Sequence, residues 1–278
     1  MSHVPESPES LVAEVRQRYG RIASGEVSGC GCSCNDAPAG VESALSRGIG
    51  YADGDLAAIP EEANLGLGCG APLAGLALAP GETVLDLGSG AGMDAFLAAR
   101  QVGATGRVIG VDMTPEMIDR ARTAAAKHGF ANVEFRRGRL EQLPVDDSSV
   151  DAVTSNCVFN LVPDKPAVFR EVARVLKPGG RIVVSDILLD RPLPEAMARD
   201  LLAWVGCVAG AELREPYFAA VAAAGLGEIE ILRDADYGAT FEAAAPEQAA
   251  ELLSRSGVDP AAVRGTIRSI TWRARKPA

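Results

Sequence analysis

Asp86-Leu-Gly-Ser-Gly-Ala-Gly92 is the stretch whose reading decides the fold. It follows Thr83–Leu87, a short apolar run that reads as a buried strand, and precedes a helix running through Ala99. Glycines at 88, 90 and 92 let the backbone approach a ligand closely and take positive φ. Arg107–Val111 reads as a second strand, closed by Asp112, where a carboxylate can accept hydrogen bonds from both hydroxyls of a ribose. Strand, glycine loop, helix, strand and acid in that order point to an adenosine-type cofactor.

Outward from this unit the alternation continues. Thr114 caps a helix with Pro115 at its first position, running to about Lys127. Val133–Arg136, Val150–Ser155 and Arg181–Ser185 read as the third to fifth strands, with a helix over Ala167–Leu176 and a turn at Pro178-Gly-Gly180. The expected fold class is therefore α/β, a doubly wound Rossmann-like sheet. Upstream, Leu11, Val12, Val15, Tyr19 and Ile22 stand at helical spacing over residues 9–23. Residues 24–50 read as a loop, and Asp53–Ala63 as a short helix that Pro60 ends or kinks. Downstream, helices are expected over Pro194–Trp204, Pro216–Ala224 and Pro246–Ser254, and strands over Glu228–Arg233 and Ser269–Arg273. The organisation expected is an N-terminal helical, cysteine-containing cap over residues 1–63 and a cofactor-binding sheet over 64–190. A smaller α+β region, 191–278, then extends the sheet and covers the acceptor pocket.

Composition narrows the function. A formal charge of -10 argues against a surface that tracks phosphates, so no nucleic-acid partner is expected. No run approaches the roughly 18 apolar residues that span a bilayer. Met1–Ser10 is acidic and Pro/Ser-rich without a secretory apolar region, so the expected compartment is the cytosol and no membrane partner is expected. In a reducing compartment the six cysteines read as ligands, nucleophiles or small buried hydrophobes rather than a disulfide framework.

A dinucleotide needs a helix N-terminus free to face its pyrophosphate. Here Asp86 and Asp94 put negative charge beside the loop, which suits a cationic sulfonium carrying an amino group. The Asp-x-Gly-x-Gly-x-Gly arrangement also resembles motif I of class I S-adenosylmethionine-dependent methyltransferases, and S-adenosyl-L-methionine is the cofactor expected. Gly138–Leu140 resembles the segment whose backbone contacts adenine in that family. The expected cofactor-binding residues are Asp86, Gly88, Ser89, Gly90, Gly92, Asp112, Met113, Leu140 and Asn156.

Cys157 falls just past the fourth strand, and ligands of an open parallel sheet bind outside the carboxyl ends of its strands. Cys69 and Cys207 lie in glycine-containing segments far away in sequence, and the three are read as converging on a soft, thiophilic substrate. Leu67-Gly-Cys-Gly-Ala-Pro72, Ser155-Asn-Cys-Val-Phe-Asn-Leu-Val-Pro-Asp-Lys165, Leu176-Lys-Pro-Gly-Gly180 and Gly206-Cys-Val-Ala-Gly-Ala211 resemble the arsenite methyltransferase family over about residues 9–235. The Lys-Pro-Gly-Gly turn is common to many methyltransferases, whereas the three cysteine motifs together are specific.

That resemblance implies a trigonal As(III) site of thiolates on Cys69, Cys157 and Cys207, serving arsenic detoxification. It also implies a redox relay between Cys69 and an N-terminal cysteine, regenerated by thioredoxin or glutathione. The family often carries an adjacent Cys-Cys pair there; this chain has Cys30, Cys32 and Cys34 spaced by single residues. Arsenic has no proton to remove, so the presence of only His3 and His128 is consistent with this chemistry. Two other readings share some of these residues. A methyltransferase of an organic small molecule would use the same cofactor loop, with Phe159 and Trp204 lining its pocket, and would leave the cysteines unexplained. A non-enzymatic metalloid-binding protein would use the cysteines and leave the cofactor loop unexplained.

Overall fold

Val84, Leu85 and Leu87 are fully buried, as a strand covered on both faces requires. They belong to β1 (Thr83–Leu87) in a computed structural model that describes residues 7–27, 41–200, 207–244, 250, 253–254 and 257–278. β1 lies between β2 (Arg107–Asp112) and β4 (Val150–Asn156), parallel to both. β3 (Val133–Arg137) flanks β2, and β5 (Leu176–Leu189) flanks β4, again in parallel. Among the described residues, β6 (Gly227–Asp236) and β7 (Ile267–Arg275) complete a seven-stranded sheet in the order β3-β2-β1-β4-β5-β7-β6. The last strand in sequence therefore inserts antiparallel between β5 and β6. Mostly parallel strands with helices on both faces make the expected Rossmann-like sheet.

The two faces are visible in the side-chain alternation. Val84 of β1 and Val108 of β2 pack with Leu76 of α4 (Leu73–Leu76) and with Phe96 and Ile118 of α5 (Met93–Val102) and α6 (Pro115–His128). Leu85, Leu87, Ile109 and Val111 face the other way, in the cluster with Val168, Phe169 and Val172 of α7 (Lys165–Val175). Trp272 of β7 is fully buried there, edge-on to Phe169, Tyr217 and Phe218. Residues beyond 190 thus share the core of the main sheet.

α1 (Pro8–Ala23) follows the amphipathic pattern: Leu11, Val15 and Ile22 are buried, and the Ser7 hydroxyl accepts a bond from the Ser10 amide to cap it. Four expectations need correction. Residues 24–50 are not all loop, because α2 spans Val41–Ile49. Its polar residues concealed it; Ser46 is buried, with its hydroxyl 2.9 Å from Glu42 O and 2.9 Å from Asn64 Oδ1. Pro60 does end a helix, but earlier than expected, leaving α3 (Asp53–Ala57) and a 3-10 turn at Glu61–Ala63. β5 runs four residues past Ser185, where Asp186–Leu189 pair with β7. The helix expected over Pro194–Trp204 spans Glu195–Ala198 and has ended by Arg199; residues 201–206 lie outside the described residues. Most of the expected Pro246–Ser254 helix lies outside them too.

Candidate functional site

The chain leaves β1 towards β2 and β3, then returns to place β4 on the opposite side of β1. Such a reversal of strand order opens a crevice at the carboxyl ends of the strands. A cavity of about 370 Å³ lies there, within the range of small-molecule sites. Asp86, Gly88, Ser89, Gly90, Asp112, Met113, Leu140 and Asn156 all line it, as do Cys157 and Cys207. Gly92, at the N-terminus of α5, does not.

The glycine loop is held from two sides. A Cβ on Gly88 would sit 2.4 Å from Val158 Cγ2, so a side chain there would clash with the loop after β4. Gly90 N donates to Asp112 Oδ2 at 3.0 Å, and Thr114 N donates to Asp112 Oδ1 at 2.8 Å. Asp112 is thereby fixed at the end of β2 with acceptor capacity left on each oxygen.

Three carboxylates gather round this loop, Asp86 and Asp94 buried and Asp112 half-buried. Burial, reinforced by Asp94 and Asp112, pushes the Asp86 carboxyl well above the usual range. Burial raises Asp94 to about 6, against the bonds from Tyr51 and Asn156 that favour its charge. Asp112 is likewise raised by burial. Asp86 Oδ2 and Ser89 Oγ are buried without a hydrogen-bond partner. An orphaned carboxylate oxygen among two other acids calls for a cationic ligand with donors, and the sulfonium and ammonium of S-adenosylmethionine meet that requirement.

Asn156 links this region to the first cysteine. Its Oδ1 accepts from Cys69 N at 3.0 Å, while Nδ2 lies 2.7 Å from Gly70 O, 2.9 Å from Tyr51 Oη and 3.3 Å from Asp94 Oδ2. Gly70 packs so tightly on β5 that an added Cβ would fall 2.4 Å from Ser185 Oγ. Gly70→Ala is expected to displace the Cys69 loop and cost about 1–3 kcal/mol, read as a lowered melting temperature.

Cys69, Cys157 and Cys207 do come together. All three are buried and share one cluster. The Cys69 and Cys157 sulfurs lie within 4.8 Å of each other, and Cys207 Sγ donates to Cys157 O at 2.9 Å. Cys157 and Cys207 adopt φ of 59° and 64°, the left-handed region that L-residues rarely occupy. Such conformations persist where the surroundings over-determine them. For Cys157 the Cys207 bond lowers the thiol, but the Cys69 bond and burial outweigh it and raise it well above the usual value. The Cys157 bond and burial raise Cys207 likewise, and burial raises Cys69. The cluster therefore rests as neutral thiols near pH 7. Cys30, Cys32 and Cys34 lie outside the described residues.

Four neighbours went unread in the sequence. The Tyr19 hydroxyl bonds Cys207, and Tyr237 adjoins all three thiols, both raised well above the usual phenol by burial. Tyr51 Oη donates to Asp94 Oδ1 at 2.7 Å. Asp186, three residues before the end of β5, brings a carboxylate oxygen to the Cys69 and Cys157 sulfurs, all within 4.8 Å of one another. Its position beside Ser185 at the same sheet edge as Cys157 was the available signal. Among the described residues no helix is long and apolar enough to cross a membrane. Phe159 is fully buried in the core rather than lining the cavity, and Trp204 lies outside the described residues.

Comparison with known proteins agrees with this geometry. A family profile described as a methyltransferase domain matches residues 78–248. The arsenite methyltransferase of Halobacterium salinarum is 44% identical over 234 residues, covering 81% of this chain and 59% of that protein. The mouse arsenite methyltransferase is 42% identical over 129 residues, covering 43% of this chain and 34% of its own length. The chain thus spans little more than half, or less, of these curated relatives. Among solved structures, the arsenic(III) S-adenosylmethionine methyltransferase of Chlamydomonas reinhardtii superposes with a TM-score of 0.60 at 31% identity, covering 87% of this chain and 74% of that one. With its Rossmann-like sheet, glycine loop and clustered thiols, the chain belongs to the arsenite methyltransferase family of S-adenosylmethionine-dependent enzymes.

Proposed function

We propose that this protein methylates trivalent arsenic, arsenite and its monomethylated form, on Cys69, Cys157 and Cys207, in the service of arsenic detoxification. The observation that carries the proposal is one buried cluster of three thiols, two of which, Cys157 and Cys207, line the cavity that the glycine loop also lines. Thiolates are the soft ligands that suit arsenic. Neutral thiols load arsenite without an external base: each As–O bond gives way to an As–S bond, and the thiol proton leaves with the hydroxide as water. Bound S-adenosylmethionine supplies an electrophilic methyl group. Asp86, Asp94 and Asp112 hold its cationic and ribose parts, while Cys157 and Cys207, both lining the cavity, hold arsenic nearest to it. Orientation of this kind can supply roughly 7–11 kcal/mol of a barrier. Methylation takes arsenic to the pentavalent state; two thiols then return two electrons as they close a disulfide. Cys69 and one of Cys30, Cys32 and Cys34 would form that pair, with thioredoxin or glutathione as reductant.

Incubation of the protein with S-adenosylmethionine, a thiol and arsenite should yield methylated arsenic. Arsenite binding without product would favour sequestration, and neither binding nor product would favour an organic acceptor. A pH effect follows from the acids. Burial sets Asp94 at about 6, so its carboxylate is charged above that value and neutral below it. Affinity for S-adenosylmethionine should therefore fall as pH drops through that window, and Asp94→Asn should flatten the fall. Titration calorimetry across the window reads both.

A further inference from the structure

We propose that the thiol cluster carries a fourth donor, Asp186, and that a thiophilic divalent cation such as Zn²⁺ or Cd²⁺ binds there through Cys69, Cys157, Cys207 and Asp186. One carboxylate oxygen of Asp186 and the sulfurs of Cys69 and Cys157 lie within 4.8 Å of one another, close enough to share an ion. Cys207 lies outside that group of three; its sulfur, 2.9 Å from Cys157 O, turns in to become the third sulfur when the ion binds. The carboxylate is fully buried and already oriented: Oδ1 accepts from Asn160 Nδ2 and from the Ile187 amide, each at 3.0 Å, and Oδ2 from the Tyr217 hydroxyl at 3.3 Å. Ionised carboxylates offer about four lone-pair positions, so at least one remains for a metal. Outer partners of this kind fix a ligand before the ion arrives.

The fourth donor separates two classes of occupant. Trivalent arsenic makes three bonds to sulfur and keeps a lone pair in the fourth direction, so it has no use for Asp186. Zn²⁺ prefers four ligands in a tetrahedron, and a carboxylate is an ordinary member of such a set. Three thiolates, one carboxylate and a dication sum to -2, and Lys165 is near enough to stabilise the Asp186 charge. Each thiol releases its proton to solvent as the metal binds. Closing all four positions leaves no lone pair for methylation, so the bound dication is a dead-end inhibitor. The inhibition rests on the arsenite reading above; the ion site itself does not.

The test uses the full chain with Cys30, Cys32 and Cys34 replaced by serine, so that Cys69, Cys157 and Cys207 are the remaining thiols. Zn²⁺ and arsenite affinities are measured by titration, and the donor set by ¹¹³Cd NMR, whose shift distinguishes three sulfurs plus oxygen from four sulfurs. The expected result is one ion per chain with three sulfurs and one oxygen. Asp186→Asn should weaken Zn²⁺ at least about tenfold and leave arsenite affinity unchanged. Asp186→Cys should move the cadmium signal to that of four sulfurs, which decides the matter if the asparagine variant does not fold. Equal Zn²⁺ affinity with and without the carboxylate overturns the proposal, as does a cadmium shift that Asp186→Cys does not move. Equal weakening of arsenite and Zn²⁺ would make Asp186 mere scaffolding and also overturn it. Zn²⁺ binding with no arsenite binding would uphold the ion site and defeat the arsenite reading instead.

Discussion

Cys157→Ser should abolish arsenite methylation, lowering turnover at least about a hundredfold, as should Cys207→Ser. Serine nearly preserves the side chain's size, so the fold should survive; what is lost is softness. A hydroxyl is a hard donor that arsenic exchanges with water, and the two remaining thiols cannot hold the metalloid in one orientation. Cys157 is central because its sulfur lies within 4.8 Å of that of Cys69 and its carbonyl accepts from the Cys207 thiol, and its left-handed backbone carries the sulfur into the cluster. Product analysis with arsenite and S-adenosylmethionine reads the effect directly. Near-normal turnover in either variant would mean that arsenic is not held by three sulfurs.

Asp112→Ala should weaken S-adenosylmethionine by about 3 kcal/mol, roughly a hundredfold in Kd, from the loss of charge-assisted bonds to ribose. The carboxylate also receives Gly90 N and Thr114 N, so its removal loosens the glycine loop as well. Asp112→Asn keeps one acceptor oxygen and should fall between the two. Titration calorimetry measures both, and a thermal melt separates lost affinity from lost fold. Wild-type affinity in the alanine variant would remove Asp112 from the cofactor site.

The parallel half of the sheet was readable because each strand is short, apolar and followed by a strong signal: glycines after β1, an acid after β2, a cysteine after β4. Those same signals located the cavity. What escaped was set by distant partners. α2 was hidden because its buried Ser46 is satisfied by Asn64, a pairing no local window displays. β5 was cut short at Asp186, since only pairing with β7 shows that the strand continues. Tyr19, Tyr51 and Tyr237 reach the site from three separate helical or loop segments, and nothing in their own surroundings in sequence distinguishes them from core tyrosines. Asp94 was noticed for its charge; its bonds to Tyr51 and Asn156 came only with the fold.

The most direct test of the account is arsenic X-ray absorption on the arsenite-loaded chain bearing serine at positions 30, 32 and 34. Three sulfurs per arsenic and no oxygen are predicted, with one sulfur replaced by oxygen when Cys69, Cys157 or Cys207 is changed singly. A first shell still rich in oxygen, or one indifferent to those three substitutions, would contradict it.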